Sequence, residues 1–286
     1  MASSRVRTEA DRRMVQPGLQ VLRDAGVSFK EIQADEVRRL EPAINPDTSF
    51  LGAVHLPDDE VGNCRQFALL LKREAERLGA TFTFNATVAL SNPDQPATLF
   101  IAGETSPRHF DAVVLCAGLE SAQLLRTLGL RIPMAAVYGY SISAPIREPL
   151  NAPRAGLMDE RYKVAISRLG QRVRVAGSAE IGGRLDSKRA ASLQTLYKVL
   201  HDWFPGAAQI SNTSASVQEW KGARPMLPDG PPVIGPSGLP GLWLNLGHGS
   251  SGWALSCGSA RALADLMGGR DPGLDLEGLG LARLLT

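Results

Sequence analysis

LWLNLGHGSSGWALSCGSAR, residues 242–261, is the stretch on which the fold turns. Leu242 to Leu246 reads as a strand, and the residues running on to Met267 read as a helix. Between them, Gly247-His248-Gly249-Ser250-Ser251-Gly252 matches GxGxxG letter for letter. A strand, a glycine turn and a helix form the local setting in which that motif holds a dinucleotide. The dinucleotide unit also needs a second parallel strand ending in an acid, about 20 residues further on. Here the chain continues Gly-Gly-Arg-Asp-Pro-Gly into a polar, glycine-rich tail. The dinucleotide reading is therefore set aside, while its physical basis remains. Glycines let backbone approach a ligand closely, and a helix N-terminus offers N–H groups and partial positive charge. A tight turn with no ligand is the alternative.

Working upstream, Trp220-Lys221-Gly222-Ala223-Arg224-Pro225-Met226-Leu227-Pro228-Asp229-Gly230 is rich in rigid residues. Pro225 fixes its own φ and pushes Arg224 towards extended geometry. A guanidinium held on a stiff segment suits a carboxylate, which it can grip through two parallel hydrogen bonds. An internal ion pair with an Asp or Glu is the competing role.

Further upstream, Ala112-Val113-Val114-Leu115-Cys116 is continuously apolar, the pattern of a parallel strand buried on both faces. It ends at Ala117-Gly118 and leads into a helix around Ser121 to Leu128, placing Gly118 at a carboxyl edge where ligands bind. Asn63 caps a helix expected to reach Leu78, with Phe67, Leu70, Leu71 and Leu78 inward and Gly79 as its stop. Thr81 to Phe84 alternates as a strand, and Asn92 to Pro96 is a turn-rich loop. Towards the start, a helix from Thr8 to Gly26 carries Met14, Val15, Leu19 and Leu22 on one side and is interrupted at Pro17. A short helix near Asp35 stops at Glu41-Pro42. The middle of the chain differs. Val137–Ser143, Tyr162–Ser167 and Arg172–Ala176 read as short strands, the last two an antiparallel hairpin, followed by a helix over Ala190–Phe204. The expected fold is α/β with an α+β lobe: a partial Rossmann-like lobe interleaved with an antiparallel-sheet lobe. Boundaries fall at 1–63, 64–130, 131–217 and 218–286.

The 286 residues are 44% hydrophobic and 21% charged, with net charge +2 and acids and bases interspersed. That balance disfavours nucleic acid, whose binding needs a concentrated basic face. The run Arg5 to Arg13 is broken by Glu9 and Asp11 and reads as a solvated helix face. Cys64, Cys116 and Cys257 form no CxxC pair and stand at no metal spacing from His55, His109, His201 or His248, so no zinc site is expected. Sparse cysteines and the lack of an apolar signal segment point to the cytoplasm. No apolar run approaches the roughly 18 residues of a membrane span; peripheral attachment to the cytoplasmic membrane face stays open.

Taken in series, LPDDEVGNCRQFALLL, FNATV, DAVVLCAGLES, GYSISAP, DERYKVAISRLGQRVRVAGSAEIGG, WKGARPMLPDGPPVIG and NLGHGSSGWALSCGSARALADLM follow one family's order. The chain resembles the D-amino-acid dehydrogenase small-subunit group of the glycine/D-amino-acid oxidase family. The resemblance implies an FAD-binding lobe joined to a substrate lobe. It also implies oxidative deamination of D-amino acids to 2-oxo acids and ammonia, with electrons passed to a quinone or other acceptor. In that picture Arg224 holds the substrate carboxylate, and Tyr140 and Tyr162 are pocket walls or ordinary packed tyrosines. Gly247, His248, Gly249, Ser250, Ser251 and Gly252 surround the flavin ring, with His248 contributing backbone and shape. Cys116, Ala117 and Gly118 lie near the diphosphate, and Val88 meets adenine through its backbone.

Two departures accompany the resemblance. The family's opening strand–GxGxxG–helix–strand unit, which cradles the ADP half of FAD, is not found here. Tyr138 stands where relatives often carry a lysine, which bears on substrate range. A fragment of such an enzyme is the first expectation. A flavin-free binding module and a related glycine or sarcosine oxidase are the alternatives. Without the opening unit, Val113 and Val114 should lose packing partners and leave apolar surface exposed.

Overall fold

The computed structural model of the protein describes residues 2–210 and 216–285. In chain order its first half holds β1 (Ala2–Val6), α1 (Glu9–Asp24), β2 (Lys30–Gln33), α2 (Ala34–Leu40), β3 (Gly52–Leu56), α3 (Cys64–Arg77), β4 (Val88–Leu90), β5 (Thr98–Ile101), β6 (Arg108–His109), β7 (Val113–Leu115) and α4 (Glu120–Thr127). The second half holds β8 (Ala135–Pro145), β9 (Gly156–Asp159), β10 (Val164–Leu169), β11 (Arg172–Ile181), α5 (Ala190–Trp203), β12 (Gln218–Met226), β13 (Val233–Pro236), β14 (Leu242–Leu246) and α6 (Gly252–Met267). These gather into two compact units, one of residues 1–68 and 138–222, the other of residues 69–137 and 223–286. The fold is mixed α/β.

The first unit is built on a sheet of order β12-β8-β11-β10-β9-β1-β3-β2. The hairpin β10–β11 pairs Leu169 with Arg172, and alternation along Arg172–Val175 buries Val173 and Val175, as a sheet with one wet face requires. Helix α5 places Leu193, Leu196, Val199, Leu200 and Trp203 on its buried side, the spacing of one helical face. They join Ile142, Leu157, Val164 and Ile166 in the core of this unit.

The chain start differs from the sequence expectation. Residues 2–6 form a strand, not part of a helix face, and β1 lies inside the sheet, antiparallel to β3 and parallel to β9. Arg5 is consequently buried, and burial pushes its pKa down to about 10, offset in part by Glu41. Arg7 donates from Nε and Nη2 to Asp159 Oδ2 at 2.8 and 2.6 Å. Trp203 Nε1 donates to the same oxygen at 2.7 Å. The guanidinium of Arg7 lies 4.8 Å from the Trp203 ring centroid. Alternation in Ser3–Arg5–Arg7 is invisible as a strand signal because the inward residues are polar; Arg7 finds its partners only in the folded chain, and Arg5 Nε has none among the described residues.

Helix α1 starts at a capping box formed by Thr8 and Asp11 and continues through Pro17 without a break. Pro17 removes only one N–H bond, to the carbonyl of Arg13, and both residues are exposed, so water can take that carbonyl. Gly26 ends the helix at φ 68°, with Val27 N donating to Leu22 O at 2.9 Å.

The second unit has a sheet β13-β14-β7 and a small meander β4-β5-β6. β14 and β7 run parallel, Leu242 opposite Val113. Leu115, Leu125, Leu128, Leu242, Leu244 and Leu246 fill its core.

Three expectations fail here for one reason. Strand β7 is an edge strand buried on one face only: Leu115 is covered, whereas Val114 is 38% exposed. Residues 81–84 form no strand, since no described strand lies beside them to pair with; Phe82 and Phe84 instead stack at 6.1 Å under the Lys72 ammonium. Helix α3 starts where expected, Asn63 Oδ1 accepting from Gln66 N at 3.2 Å, but it buries no side chain, and Leu71 is 55% exposed. Amphipathic pattern forms these segments, yet no described element covers their apolar sides. Of the two valines expected to lose packing partners, Val114 is exposed while Val113 packs against the core, and α3 also exposes Leu70 and Leu71.

Two outcomes follow from this packing. Asp159→Ala strands the Arg7 guanidinium and the Trp203 N–H, and should cost about 3 kcal/mol, read as a lowered urea midpoint. The pair Leu70→Glu and Leu71→Glu should lower light scattering of the concentrated chain while leaving its circular dichroism unchanged, because these side chains support no core.

Candidate functional site

β7 and β14 both run into glycine turns at their carboxyl ends, Cys116-Ala117-Gly118 and Gly247-His248-Gly249. A cavity of about 280 Å³ opens there, lined by residues that include Cys116, Gly118, Pro225, Asn245, His248 and Gly252. Two helices begin at these turns. Neither α4, entered through Leu119, nor α6, entered through a 3₁₀ turn at Gly249–Ser251, has a side-chain N-cap. At α4 the N–H groups of Glu120, Ser121 and Ala122 instead donate to the carbonyls of Ala117, Gly118 and Leu119 at 3.2, 3.2 and 3.3 Å, and before α6 Ser251 N donates to His248 O at 3.2 Å.

The glycines of the turn have a reason other than ligand approach. His248 is joined to Met226 by an antiparallel bridge, bringing the ARPML segment against the GHGSSG turn. A Cβ on Gly247 would stand 2.4 Å from Leu227 Cδ1, and one on Gly249 would stand 2.6 Å from Met226 Sδ. Both glycines also have positive φ, 76° and 54°. The turn is thus tight because Met226 and Leu227 occupy the space that side chains would take. Gly118, at φ 58°, meets nothing within 4 Å and is the glycine that leaves open space.

The electrostatics of the cavity are neutral. Burial pushes the His248 imidazole below its ordinary pKa, and desolvation pushes the Cys116 thiol up, so neither is charged at pH 7. His248 Nε2, Asn245 Oδ1 and Ser121 Oγ are buried atoms with no hydrogen-bond partner among the described residues. Ser121 is in the first turn of α4, and Asn245 and His248 line the cavity.

Of the residues singled out from sequence, Cys116, Gly118, Gly247, His248 and Gly252 come together around this cavity. Ala117, Gly249, Ser250 and Ser251 belong to the same turns without lining it. Arg224 is on β12 next to Pro225, which does line it; its guanidinium is half-buried and its pKa lowered by that burial. Val88 opens β4, opposite Ile101. Tyr140 and Tyr162 belong to the first unit. Tyr140 is 1% exposed. Its hydroxyl donates to Glu180 and accepts from Arg189 N at 3.0 Å. Glu180 also receives Lys221 Nζ at 2.9 Å, and that ammonium lies 4.4 Å from the Tyr138 ring centroid. Tyr162 packs against the first core with Arg7 at 5.5 Å from its ring.

Sequence reasoning missed Asn245, Ser256 and Ser259. A signal for each was present: Asn245 is the polar residue inside LWLNL, and Gly252, Ser256 and Ser259 recur at steps of four and three along α6, on one helical face.

Residues 3–266 match the family described as FAD dependent oxidoreductase (DAO). The chain belongs to this family. It is 40% identical over 264 residues to a D-amino acid dehydrogenase of Bradyrhizobium diazoefficiens, covering 92% of this chain and 62% of that protein. It is 38% identical over 278 residues to a D-amino acid dehydrogenase of Sinorhizobium medicae, covering 97% of this chain and 66% of the relative. The chain thus spans somewhat less than two thirds of the length of these relatives. Among solved structures, glycine oxidase from Geobacillus kaustophilus superposes with a TM-score of 0.86 at 21% identity, over 99% of this chain and 74% of that one. L-proline dehydrogenase from P. horikoshii gives 0.84 at 14% identity, over 99% and 75%. At such identities these structures share the fold with this chain. Among the described residues, no helix is long and apolar enough to cross a membrane.

The contact between the two segments has a measurable consequence. Gly247→Ala should cost about 3 kcal/mol, because Leu227 is buried and cannot yield; Gly249→Ala should cost less, because the Met226 thioether can swing aside. Leu227→Ala in the Gly247→Ala background should recover about 1 kcal/mol in a thermal-unfolding double-mutant cycle.

Proposed function

We propose that this chain carries the flavin-ring and substrate-binding portion of an FAD-dependent D-amino-acid dehydrogenase. The observation that supports this reading best is the neutral cavity at the carboxyl ends of β7 and β14, with unpartnered polar atoms around it. Such a set of groups fits an uncharged, polar, planar ring. The 40% identity to D-amino acid dehydrogenase of Bradyrhizobium supports the reaction class. FAD, when bound, supplies the capacity to take two electrons from the amino acid, which a quinone or other acceptor then removes.

The chain's own residues have distinct parts in this proposal. The turns at Cys116–Gly118 and Gly247–Gly252 hold the cofactor, the first by the diphosphate, the second by the ring, with the backbone at Val88 nearest adenine. Arg224, stiffened by Pro225, grips the substrate carboxylate by two charge-assisted hydrogen bonds. Loss of two electrons and two protons from Cα–NH2 leaves an imine, and water converts it to the 2-oxo acid and ammonia. A neutral substrate amine needs no strong protein base for this. Tyr140 acts by holding Glu180 and the start of α5 in place, and Tyr162 by shielding Arg7. The unit of residues 1–68 and 138–222 is the substrate lobe in this reading, and peripheral attachment to the cytoplasmic membrane face is compatible with passing electrons to a quinone.

A second reading, a flavin-free interaction module, draws on the apolar surface left open at α3, Phe82 and Phe84. Visible spectra separate the two. The purified chain incubated with FAD should co-elute with flavin absorbance and reduce a dye with D-alanine. Arg224→Lys should raise KM about 30-fold, the loss of about 2 kcal/mol of bidentate bonding, with a smaller change in kcat. A chain that retains no flavin and turns over no D-alanine would favour the module.

A further inference from the structure

β14 alternates Leu242, Leu244 and Leu246 into the core of its unit, which turns Trp243 and Asn245 to the other face. A polar side chain on that face would ordinarily reach water. Asn245 Oδ1 is instead buried with no partner among the described residues, and His248 Nε2, three residues on, is in the same condition. Both residues line one cavity. The backbone of His248 is already engaged: its carbonyl accepts from Ser251 N at 3.2 Å, and the residue is bridged to Met226. What His248 has left to offer is its ring. The serines of the cavity are engaged too, Ser256 Oγ donating to Trp253 O at 2.9 Å and Ser259 Oγ to Ser256 O at 3.3 Å.

A buried polar atom left unmade costs its full desolvation penalty, and two in one cavity are tolerated when a ligand completes them. No Asp, Glu, Lys or Arg lines this cavity, so its side chains present no charge to a ligand. A carboxamide oxygen accepts one hydrogen bond, and a neutral imidazole with its proton on Nε2 donates one. The matching ligand edge is a donor flanked by an acceptor, as in a cyclic imide.

We infer that Asn245 and His248 hydrogen-bond the imide edge of a flavin ring, Asn245 Oδ1 accepting from the imide N–H and His248 Nε2 donating to a flanking carbonyl. This rests on the flavin reading above and adds two side chains to it. Asn245 and His248 therefore recognise the ring by the hydrogen-bonding pattern of its imide edge, while the turn glycines serve packing.

Lumiflavin and 3-methyllumiflavin, which differ at the imide N–H, test the assignment by fluorescence quenching on the full chain. The natural chain should bind the methylated flavin about tenfold more weakly. Asn245→Leu should bind lumiflavin about tenfold more weakly and lose the discrimination, and His248→Phe should weaken binding while keeping it. Without ligand, Asn245→Leu should melt no lower than the natural chain, because it removes an unsatisfied group from the fold; a purely structural Asn245 would lower the melting temperature. Equal affinity of the natural chain for both flavins, or discrimination retained in Asn245→Leu, overturns the inference and leaves the flavin reading standing. The first comparison needs no variant to fold. Failure of the natural chain to bind FAD or lumiflavin overturns both.

Discussion

The bridge between Met226 and His248 is the contact on which the candidate site depends. It joins a proline-stiffened strand to a glycine turn, and the fit is steric. Met226 and Leu227 fill the volume that Cβ atoms at positions 249 and 247 would need. Backbone in the left-handed region is costly for any other residue, so the glycines are required twice over, by conformation and by space. From this contact follow the entry angle of α6, the placement of Pro225 at the cavity and the setting of Arg224 one residue before it.

In the other unit a carboxylate has the corresponding role. Asp159 gathers Arg7, Trp203 and the backbone of Tyr162, linking β1, β9 and the end of α5. Its side chain is fully buried, where an ion pair is tolerable only if its remaining lone pairs are satisfied. The same unit holds a second buried polar set, Tyr140, Glu180 and Lys221. Lys221 Nζ donates to the carbonyls of Arg184 and Ser187 at 2.6 and 2.7 Å and so ties down the turn between β11 and α5. In each case a polar group secures a connection that apolar packing alone would leave loose.

Much of the local structure was legible along the chain. Helix limits at Thr8, Asn63, Gly26 and Gly79 follow from capping chemistry, which acts over a few residues and is written in them. The hairpin at Gly170, the strand–turn–helix at 242–267 and the glycine turn after Leu115 were equally plain. The site was legible in part: the glycines, Cys116 and His248 could be named from motif order, whereas Asn245 and the α6 serines look like ordinary polar residues until their surroundings are known. Strand β1 was not legible, because the strand β9 beside it and the Asp159 partner of Arg7 are more than a hundred residues away.

The sequence by itself determined which segments are helices and turns, and through the order of its motifs it determined the family. Backbone propensity, capping and proline geometry are local, so a linear text can carry them. Tertiary structure decided what covers each face. It left Val114, Phe82 and α3 open because no described element lies against them. It explained the glycines at 247 and 249 by the side chains of Met226 and Leu227 rather than by a ligand. It singled out Asn245 and His248, since whether a polar atom is satisfied depends on every group within hydrogen-bonding distance, and that is a property of the folded chain.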